Sequence, residues 1–359
     1  MNSTLFKKAR MLAVPQPVVG TAATLAAGTP ILPVETPEWN LDRGSPVIER
    51  SNIMFGFPGT LKSARGAMGW SMSANTEMHD IPPGYTGFHP VLALLLACGL
   101  EGSNLPADAG WKLVLARNCF LRDFDGDPPL GPCVLTAALI EDCGVSRFAQ
   151  DVTGTATLNM NVGEPLMIQA ELVGRLLQAG NDPSLSVIET TGTELAYGID
   201  SLEFWTQPYI FQGAVIEVDG EEPVDLQDLA IDLAMNVDEI RNPAAVGGMG
   251  IVKPENTAGV QVSFNVAQDA FNRASFWNKF FAGEALSLKA TVSGPLGGVL
   301  EIESKNLCHA PPERENVNER THYGIQAHTF LDPEALATDV DDAFDDFLTI
   351  TYTKPVTTS

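Results

Sequence analysis

The chain contains several residue pairs that could do chemistry, but each lacks a partner that the chemistry needs. His322 and His328 lie six residues apart, so both would face the same side of a strand. No cysteine or third ligand near them has the spacing of a zinc site. Cys308 and His309 are adjacent, and adjacent side chains of an extended chain point apart, which disfavours a thiol nucleophile beside its base. From these residues we predict neither a metal site nor a catalytic pair.

Two acidic clusters and one glycine-rich stretch match binding loops only in part. Residues 123–127 begin like a calcium loop, but Gly126 is misplaced and Val134 stands where a bidentate glutamate belongs. Residues 339–346 are also rich in aspartate. Solvated carboxylates explain both clusters, with adventitious cation binding as the alternative. Residues 247–250 read Gly-Gly-Met-Gly without the Lys-Ser/Thr pair of a phosphate loop. We therefore predict no catalytic residue, cofactor or metal, and expect the protein not to be an enzyme.

The composition narrows the possible partners. Asp and Glu total 45 against 21 Lys and Arg, which gives a formal net charge of -24. Such a surface repels the phosphates of nucleic acids and of anionic membranes, so tight binding to either is disfavoured. The five cysteines include no CxxC pair, which favours a reduced, intracellular origin. Pro15 and Pro17 interrupt the N-terminal apolar stretch, so we expect no signal peptide. The run Val91–Cys98 is too short to span a bilayer.

The clearest pattern is a period-two alternation of apolar and polar residues, which predicts strands with one buried face and one solvated face. Residues 68–77, 155–162, 231–238 and 260–266 show it. Their polar positions hold Ser, Thr, Asn, Gln, Asp and Glu, and no Lys or Arg. Protein surfaces usually carry both positive and negative side chains. Exposed edge strands often contain Lys, which hinders pairing with strands of other molecules. The pattern therefore favours a surface that must not bind an anionic molecule moving past it. The alternative is that short polar residues simply suit the exposed face of a sheet.

Two short helices are predicted between the strands. Pro90 suits a first helical position and Gly99 the position past the end, and the apolar run between them must be buried. The second helix covers Asp269–Ala282 and stops at Gly283. The two helices are about 180 residues apart, half the chain, which favours a duplicated domain. The stretches that begin at Gly163 and Gly283 give a competing internal match in another register.

We predict three parts along the chain. Residues 1–45 are rich in Pro, Gly, Ala and Thr without periodicity, so they are expected to form an extended N-terminal arm. Residues 46–182 and 183–359 form two β domains, divided at a turn-rich segment over 180–186. The second domain contains a long loop over 241–259 and ends in a loose tail. A loop of that length within a hairpin is uncommon and usually functional, with a plain surface loop as the alternative.

Three stretches of the chain are informative when taken together. The first is His89-Pro90-Val91-Leu92-Ala93-Leu94-Leu95-Leu96-Ala97-Cys98-Gly99-Leu100. The second runs from Val134-Leu135-Thr136 through Glu141-Asp142-Cys143-Gly144 and Gly154-Thr155-Ala156-Thr157 to Gly163-Glu164-Pro165. The third is residues 229–241. In their order and context these stretches resemble the tail tube proteins of long-tailed bacteriophages, although none of them is diagnostic alone.

The resemblance implies a mainly β fold with two tandem tube-like β-sandwich or barrel domains, each with a short flanking α-helix. It implies rings that stack into the hollow tube through which DNA is delivered, with trimeric rings if the domain is duplicated and hexameric rings if it is not. The implied partners are other copies of the chain, the tape-measure protein, the tail terminator and baseplate proteins, besides the passing DNA. The implied location is the virion tail, after assembly in the host cytoplasm.

If the resemblance holds, the polar strand faces line the lumen, and the long loop together with the N-terminal arm bridges adjacent rings. The lumen-facing candidates are Ser71, Ser73, Asn75, Glu77, Thr157, Asn159, Asp232, Asn236 and Asn265. The inter-ring candidates are Arg241, Gly247, Gly250 and Pro254.

Other functions stay open. A tail terminator or a baseplate or distal tail ring subunit would share the fold without forming long tubes. A secreted β-sandwich adhesin is disfavoured by the expected absence of a signal peptide, the odd number of cysteines and the lack of clustered aromatic residues for sugar stacking. A hydrolase on a β scaffold would need a site that the sequence does not show.

Overall fold

The computed structural model of the protein is dominated by strands. It describes residues 8–16, 23, 31–44, 47–50, 61–65, 68–83, 85, 88–115, 134–140, 145–176, 187–189, 208–221, 225–241, 249–256, 259–274, 276–317, 320–330 and 347–356. Within these ranges helices are few and short, so the prediction of a mainly β fold is confirmed.

Strands make up most of both halves of the chain. In the first half the elements are β1 (Lys8–Pro15), β2 (Ile31–Gly44), β3 (Val47–Arg50), β4 (Leu61–Arg65), β5 (Met68–Glu77), α1 (Pro90–Ala97), β6 (Leu100–Asn104), a 3-10 turn (Pro106–Asp108), β7 (Gly110–Leu115), β8 (Leu135–Ile140), β9 (Val145–Asn161) and β10 (Met167–Leu176). In the second half they are β11 (Val187–Glu189), β12 (Val215–Val218), β13 (Leu226–Asp232), β14 (Met235–Arg241), β15 (Met249–Asn256), β16 (Gln261–Ala267), α2 (Gln268–Ala274), α3 (Phe276–Ala282), β17 (Leu286–Ser293), β18 (Val299–His309), β19 (Glu313–Val317), β20 (Arg320–Thr329) and β21 (Thr349–Thr353).

Eight strands form a continuous antiparallel array, the long sheet, in the order β2-β5-β10-β9-β13-β16-β20-β19. The two halves of the chain meet inside it, where β9 pairs with β13 and Asn159 lies opposite Ala230. A second array runs β6-β7-β21-β18-β17-β12 and also mixes both halves. Both arrays therefore depend on the whole chain.

The long sheet consists of two four-strand units with the same strand order. β2-β5-β10-β9 recurs as β13-β16-β20-β19. In each unit a separate two-stranded hairpin stands between the first and second strands, β3–β4 in one and β14–β15 in the other. Helix α1 follows β5, as α2 and α3 follow β16. The recurrence agrees in register with the helix-based internal match rather than with the competing one.

One hydrophobic core joins the two arrays. Leu158 on β9 and Ile231 on β13 are buried in the same cluster as Leu113 on β7 and Ile302 on β18. Helix α1 is buried along its full length, as its uniformly apolar sequence predicts. The burial of each alternate residue supplies the free energy that stabilises the long sheet, at about 25 cal/mol per Å² of apolar surface.

The N-terminal segment differs from the arm predicted over residues 1–45. Within it, β1 lies between β2 and β8, and β2 pairs with β5. Met11 and Leu12 are 2% and 1% exposed. A strand that is covered on both faces needs no polar alternation, which explains why β1 has no periodic pattern. The expected domain boundary over 180–186 lies outside the described residues, so the division into two domains stays a prediction.

Two other expectations change in detail. The single helix predicted over Asp269–Ala282 is two helices, α2 and α3, on either side of residue 275. The long loop predicted over 241–259 is largely a hairpin, because β15 pairs with β14 from Met235 opposite Asn256 to Arg241 opposite Met249. The glycines and prolines in this stretch suggested a loop. They are compatible with a two-stranded hairpin, and β14 and β15 pair with no third strand in the described part of the chain.

Candidate functional site

One face of the long sheet is a continuous polar surface. The register places Asn75 on β5 opposite Gln169 on β10, and Gln169 opposite Thr157 on β9. Where β9 of the first unit pairs with β13 of the second, Thr157 lies opposite Asp232, and Asp232 lies opposite Gln261 on β16. Residues directly opposite one another in an antiparallel sheet project to the same side. A row of polar side chains therefore crosses both units.

We call this surface the polar face and define it by a set of alternate residues of the long sheet, each with a half-buried or exposed side chain. It comprises Ser71, Ser73, Asn75, Glu77, Thr155, Thr157, Asn159, Gln169, Glu171, Asp228, Ala230, Asp232, Gln261, Ser263, Asn265, Glu313, Glu315, Gln326 and His328.

The residues between them face the core. Met72 on β5, Leu158 on β9 and Phe264 on β16 are each at most 2% exposed. A slip of one residue in any strand would move apolar side chains to the polar face and polar ones into the core. The alternation therefore fixes the register, and the register fixes which side chains form the polar face.

Eight of the nine predicted lumen residues lie on the polar face. They are Ser71, Ser73, Asn75, Glu77, Thr157, Asn159, Asp232 and Asn265.

Asn236 does not lie on the polar face but on β14, opposite Glu255, so the structure does not group it with the other eight. The predicted strand over 231–238 is broken, because Ala234 has a left-handed backbone with φ of 50° and its N–H donates to Asp232 Oδ1 at 2.9 Å. The Met235 N–H then donates to Thr155 Oγ1 at 3.1 Å, at the start of β14. Asn236 is exposed on the β14–β15 hairpin. The apolar alternation continues through the break because Leu233 and Met235 are both buried.

The predicted inter-ring residues fall on or beside the same hairpin. Arg241 ends β14 opposite Met249, and Pro254 lies within β15 opposite Val237. Gly250 is also in β15. Gly247 lies outside the described residues. The described candidates are therefore hairpin residues and not loop residues.

The polar face is concave across the second unit. A depression of about 330 Å³ is lined by side chains from β9, β13, β16, β19 and β20. Asp228 lines it and accepts hydrogen bonds from the Asn265 backbone N–H at 3.0 Å and from Asn265 Nδ2 at 2.8 Å. A β-bulge lies beside this contact, between Leu226 and Asp228.

Charge on the polar face has one sign at neutral pH. Its carboxylates come from Glu77, Glu171, Asp228, Asp232, Glu313 and Glu315, and the set as defined contains no Lys or Arg. Two described cations on strands of the long sheet lie outside this set: half-buried Arg175 pairs with Asp151, and exposed Arg314 donates to Thr321 Oγ1 at 3.4 Å. Elsewhere, Lys289 pairs with Glu301 at 3.1 Å and Lys279 with Asp219 at 2.6 Å. The face therefore repels phosphate and attracts cations.

Part of the polar face was not predicted from the sequence. Gln169 and Glu171 on β10 alternate with Ile168, Ala170 and Leu172, and that alternation was available in the sequence. Glu313 and Glu315 could not be found in the same way. Strand β19 reads Glu-Arg-Glu-Asn-Val, without an apolar alternation to indicate a strand.

A second polar cluster is buried around Asp80, between the two halves. Asp80 is 0% exposed, and its carboxylate accepts from Tyr352 Oη at 2.7 Å and Tyr209 Oη at 3.3 Å. It also accepts from the backbone N–H groups of Ile81, Leu296 and Gly298. Burial raises the pKa of both tyrosines well above the usual value, with the carboxylate acting in the same direction. Because the cluster is sealed from solvent, its role is to hold the halves together.

The structure describes the two residue pairs that were considered for chemistry. His322 is buried and its Nε2 lies 3.2 Å from Gln227 Nε2, whereas His328 is exposed. Cys308 is exposed and His309 buried, as expected of neighbours on a strand. Among the described residues no group of three His, Cys, Asp or Glu could hold a metal ion. The acidic clusters over 123–127 and 339–346 lie outside the described residues.

In the described part of the chain, no helix has the length and apolar character needed to cross a membrane. Comparison with protein-family models and with curated proteins found no match.

Proposed function

We propose that the protein is a structural subunit of a bacteriophage tail tube, with its polar face directed to the lumen. The observation that supports this most is the sheet itself. Eight strands form one continuous array, and the residues defined as its polar face include no Lys or Arg. This face is concave across the second unit, and the apolar residues that alternate with it are buried. An enclosed channel for DNA needs such a one-sided wall.

The physical mechanism follows from the charges. A duplex that moves along the wall meets carboxylates, amides and hydroxyls, and these offer no cation to displace its counterions. Repulsion by residues such as Glu171 and Asp232 keeps phosphates away from the wall, so the DNA passes without a bound state. Short side chains such as Ser73 and Ser263 keep the surface smooth.

The two four-strand units bear on the number of copies in a ring. If each unit is one tube-like domain, a trimer of this chain supplies the six units that a hexamer of single-domain chains would supply. We therefore favour trimeric rings. The hairpins β3–β4 and β14–β15 leave the long sheet at equivalent points, and we assign them to contacts between stacked rings.

The proposal implies the partners of a tail. Copies of the same chain would form the tube, the tape-measure protein would lie inside it, and terminator and baseplate proteins would contact its ends. The protein would be assembled in the host cytoplasm and act in the virion tail.

Electron microscopy of the purified protein tests the proposal. Concentrated protein over a range of salt should form long tubes with a bore on the order of 40 Å, wide enough for a duplex whose grooves are about 10 Å across. Discrete rings that never stack would favour a terminator or baseplate subunit instead. Persistent monomers under every condition would overturn the ring-forming function altogether.

A further inference from the structure

We infer that Cys308 and His328 form a binding site for a thiophilic metal cation such as Zn²⁺. The two residues come from different strands, β18 and β20, and the pairing of those strands places them side by side on the surface. The inference goes beyond the proposed function and does not depend on it, because the site lies within a single copy of the chain.

The thiol and the imidazole project from the same side of the sheet. Cys308 lies directly opposite His328 in an antiparallel pair, and both residues are exposed. Side chains directly opposite one another share a face, with Cβ atoms about 5 Å apart. A cation about 2.3 Å from the sulfur and about 2.1 Å from an imidazole nitrogen fits between two side chains at that separation.

Backbone hydrogen bonds on both sides of the pair fix this register. The Phe330 N–H donates to the Asn306 carbonyl at 3.1 Å, and the Ala310 N–H donates to the Gln326 carbonyl at 2.8 Å. Cys308 stands midway between the two bonded residues of its strand. A slip of one residue would break both bonds and would turn the thiol to the face opposite the imidazole.

The chain order hides this pair. In the sequence, Cys308 is adjacent to His309, and His328 stands six residues after His322. In the structure His309 and His322 are both buried, whereas Cys308 and His328 are both exposed. Only the pairing of β18 with β20 brings the exposed thiol and the exposed imidazole together, so no motif of fixed spacing contains them.

The two ligands select the class of cation. A thiolate is a soft ligand and imidazole suits Zn²⁺ and copper, whereas Mg²⁺ and Ca²⁺ prefer oxygen ligands. In the part of the chain that the structure describes, no group of three His, Cys, Asp or Glu could hold a metal ion. Two protein ligands leave the other coordination positions to water, unlike the four ligands of a closed structural zinc site. We therefore expect an exchangeable cation on which the fold does not depend.

The neighbouring strand adds a residue that can orient the imidazole. Gln261 on β16 lies opposite His328, on the side away from Cys308. When one ring nitrogen binds a metal, the other usually donates its N–H to an oxygen acceptor, which fixes the tautomer. The side-chain carbonyl of Gln261 can serve as that acceptor. Asp232 follows Gln261 in the same row, and its carboxylate favours the approach of a cation.

Alkylation of the Cys308 thiol by iodoacetamide tests the site at the atom that would bind the metal. The full chain is treated over a range of Zn²⁺ concentrations, and the peptide that contains Cys308 is quantified by mass spectrometry, so other cysteines and other cation sites do not contribute. A thiolate bound to Zn²⁺ is a poorer nucleophile than a free one. We expect saturating Zn²⁺ to slow alkylation of Cys308 by about tenfold or more.

Two variants give matched controls. His328→Gln removes the imidazole and should raise the Zn²⁺ concentration for half-maximal protection by about tenfold or more, since loss even of a group behind a ligand costs about that factor in affinity. The double variant His328→Gln with Gln261→His keeps the composition but moves the imidazole two strands from Cys308, about 10 Å away. It should protect the thiol no better than His328→Gln. Circular dichroism and the alkylation rate without metal show that each variant folds with the thiol accessible.

Protection that depends on His328 upholds the site, whether or not the protein forms tubes. An alkylation rate of Cys308 that does not change at any Zn²⁺ concentration would overturn it. Equal protection in the wild type and both variants would overturn it too, because Cys308 would then bind the metal without His328.

Discussion

At the scale of single residues, Asp80 shows how a buried charge joins the two halves. Its carboxylate, 0% exposed, accepts from Tyr352 of β21 and from the Leu296 and Gly298 N–H groups of the β17–β18 turn. A Cβ at Gly298 would approach Asp80 Oδ1 to 2.2 Å, so the turn must be glycine there for the contact to form. The hydrogen bonds to Asp80 therefore restrict which residues can occupy the neighbouring turn.

Replacing Asp80 with Asn should destabilise the protein. The new amide NH₂ group is a donor, and it would face the hydroxyl and N–H donors that the carboxylate now accepts from. Some of these buried donors would then have no acceptor. We expect the free energy of unfolding to fall by about 3 kcal/mol, measured by urea denaturation. Asp108→Asn makes the same chemical change at an exposed position and should alter it by less than about 0.5 kcal/mol. Equal effects of the two substitutions would contradict the role given to Asp80.

His89 is the residue whose protonation the fold opposes. It caps α1, where its Nδ1 accepts from the Val91 N–H at 3.2 Å and its Nε2–H donates to the His79 carbonyl at 2.9 Å. Burial lowers the pKa of His89 from 6.5 to about 4, although the hydrogen bond to the carbonyl acts in the opposite direction. Burial likewise lowers the pKa of His79 to about 4. Both side chains are therefore held neutral in the folded state.

Stability should consequently fall with acid before most carboxylates titrate. The unfolded chain binds protons at these histidines near pH 6.5, and the folded chain does not until about pH 4. The contribution is complete above pH 6.5 and is lost as the pH falls towards 4, by about 2 kcal/mol per histidine between pH 6.5 and 5. Urea denaturation at several pH values measures this slope, which is how steeply the free energy of unfolding changes with pH. His89→Asn, which can still cap the helix without titrating, should flatten it, and an unchanged slope would contradict the assignment.

At the scale of elements, the sequence predicts those strands that have one buried face and one wet face. β5 and β16 appear where alternation places them, and α1 appears where an apolar run lies between Pro90 and Gly99. Strand β1 could not be predicted because both of its faces are covered, and β19 because its residues are almost all polar. The pairing of β9 with β13 is a contact distant in sequence, and no local pattern encodes it.

The break between β13 and β14 supplies a matched test of the polar face. Ser73→Lys and Asn159→Lys add a cation to the polar face, whereas Asn236→Lys adds the same charge on the hairpin. Lysines along the wall would exchange counterions with the phosphates of DNA. We expect tubes of the first two variants to retain labelled duplex DNA at least tenfold more than wild type in low-salt sedimentation, and phage that contain them to deliver DNA more slowly. Tubes of Asn236→Lys should retain as little DNA as wild type. Equal retention of DNA by all three variants would contradict the proposal that the polar face lines the lumen.

At the scale of the whole molecule, the proposed assembly must overcome the protein's own charge. Each copy has a formal net charge of -24, so copies repel one another at long range. Favourable contacts between copies must exceed this repulsion before a ring closes.

The extent of assembly should therefore rise with ionic strength. The screening length shortens from about 10 Å at 0.1 M salt to about 3 Å at 1 M, which weakens the repulsion between copies. Light scattering should show tubes forming at lower protein concentration as sodium chloride is raised. Glu315→Gln on β19 and Glu284→Gln on the exposed connection between α3 and β17 change the net charge equally. If net charge controls assembly, both variants should lower the salt needed for half-maximal assembly to the same extent. An extent of assembly that does not change with salt would contradict this role of the net charge.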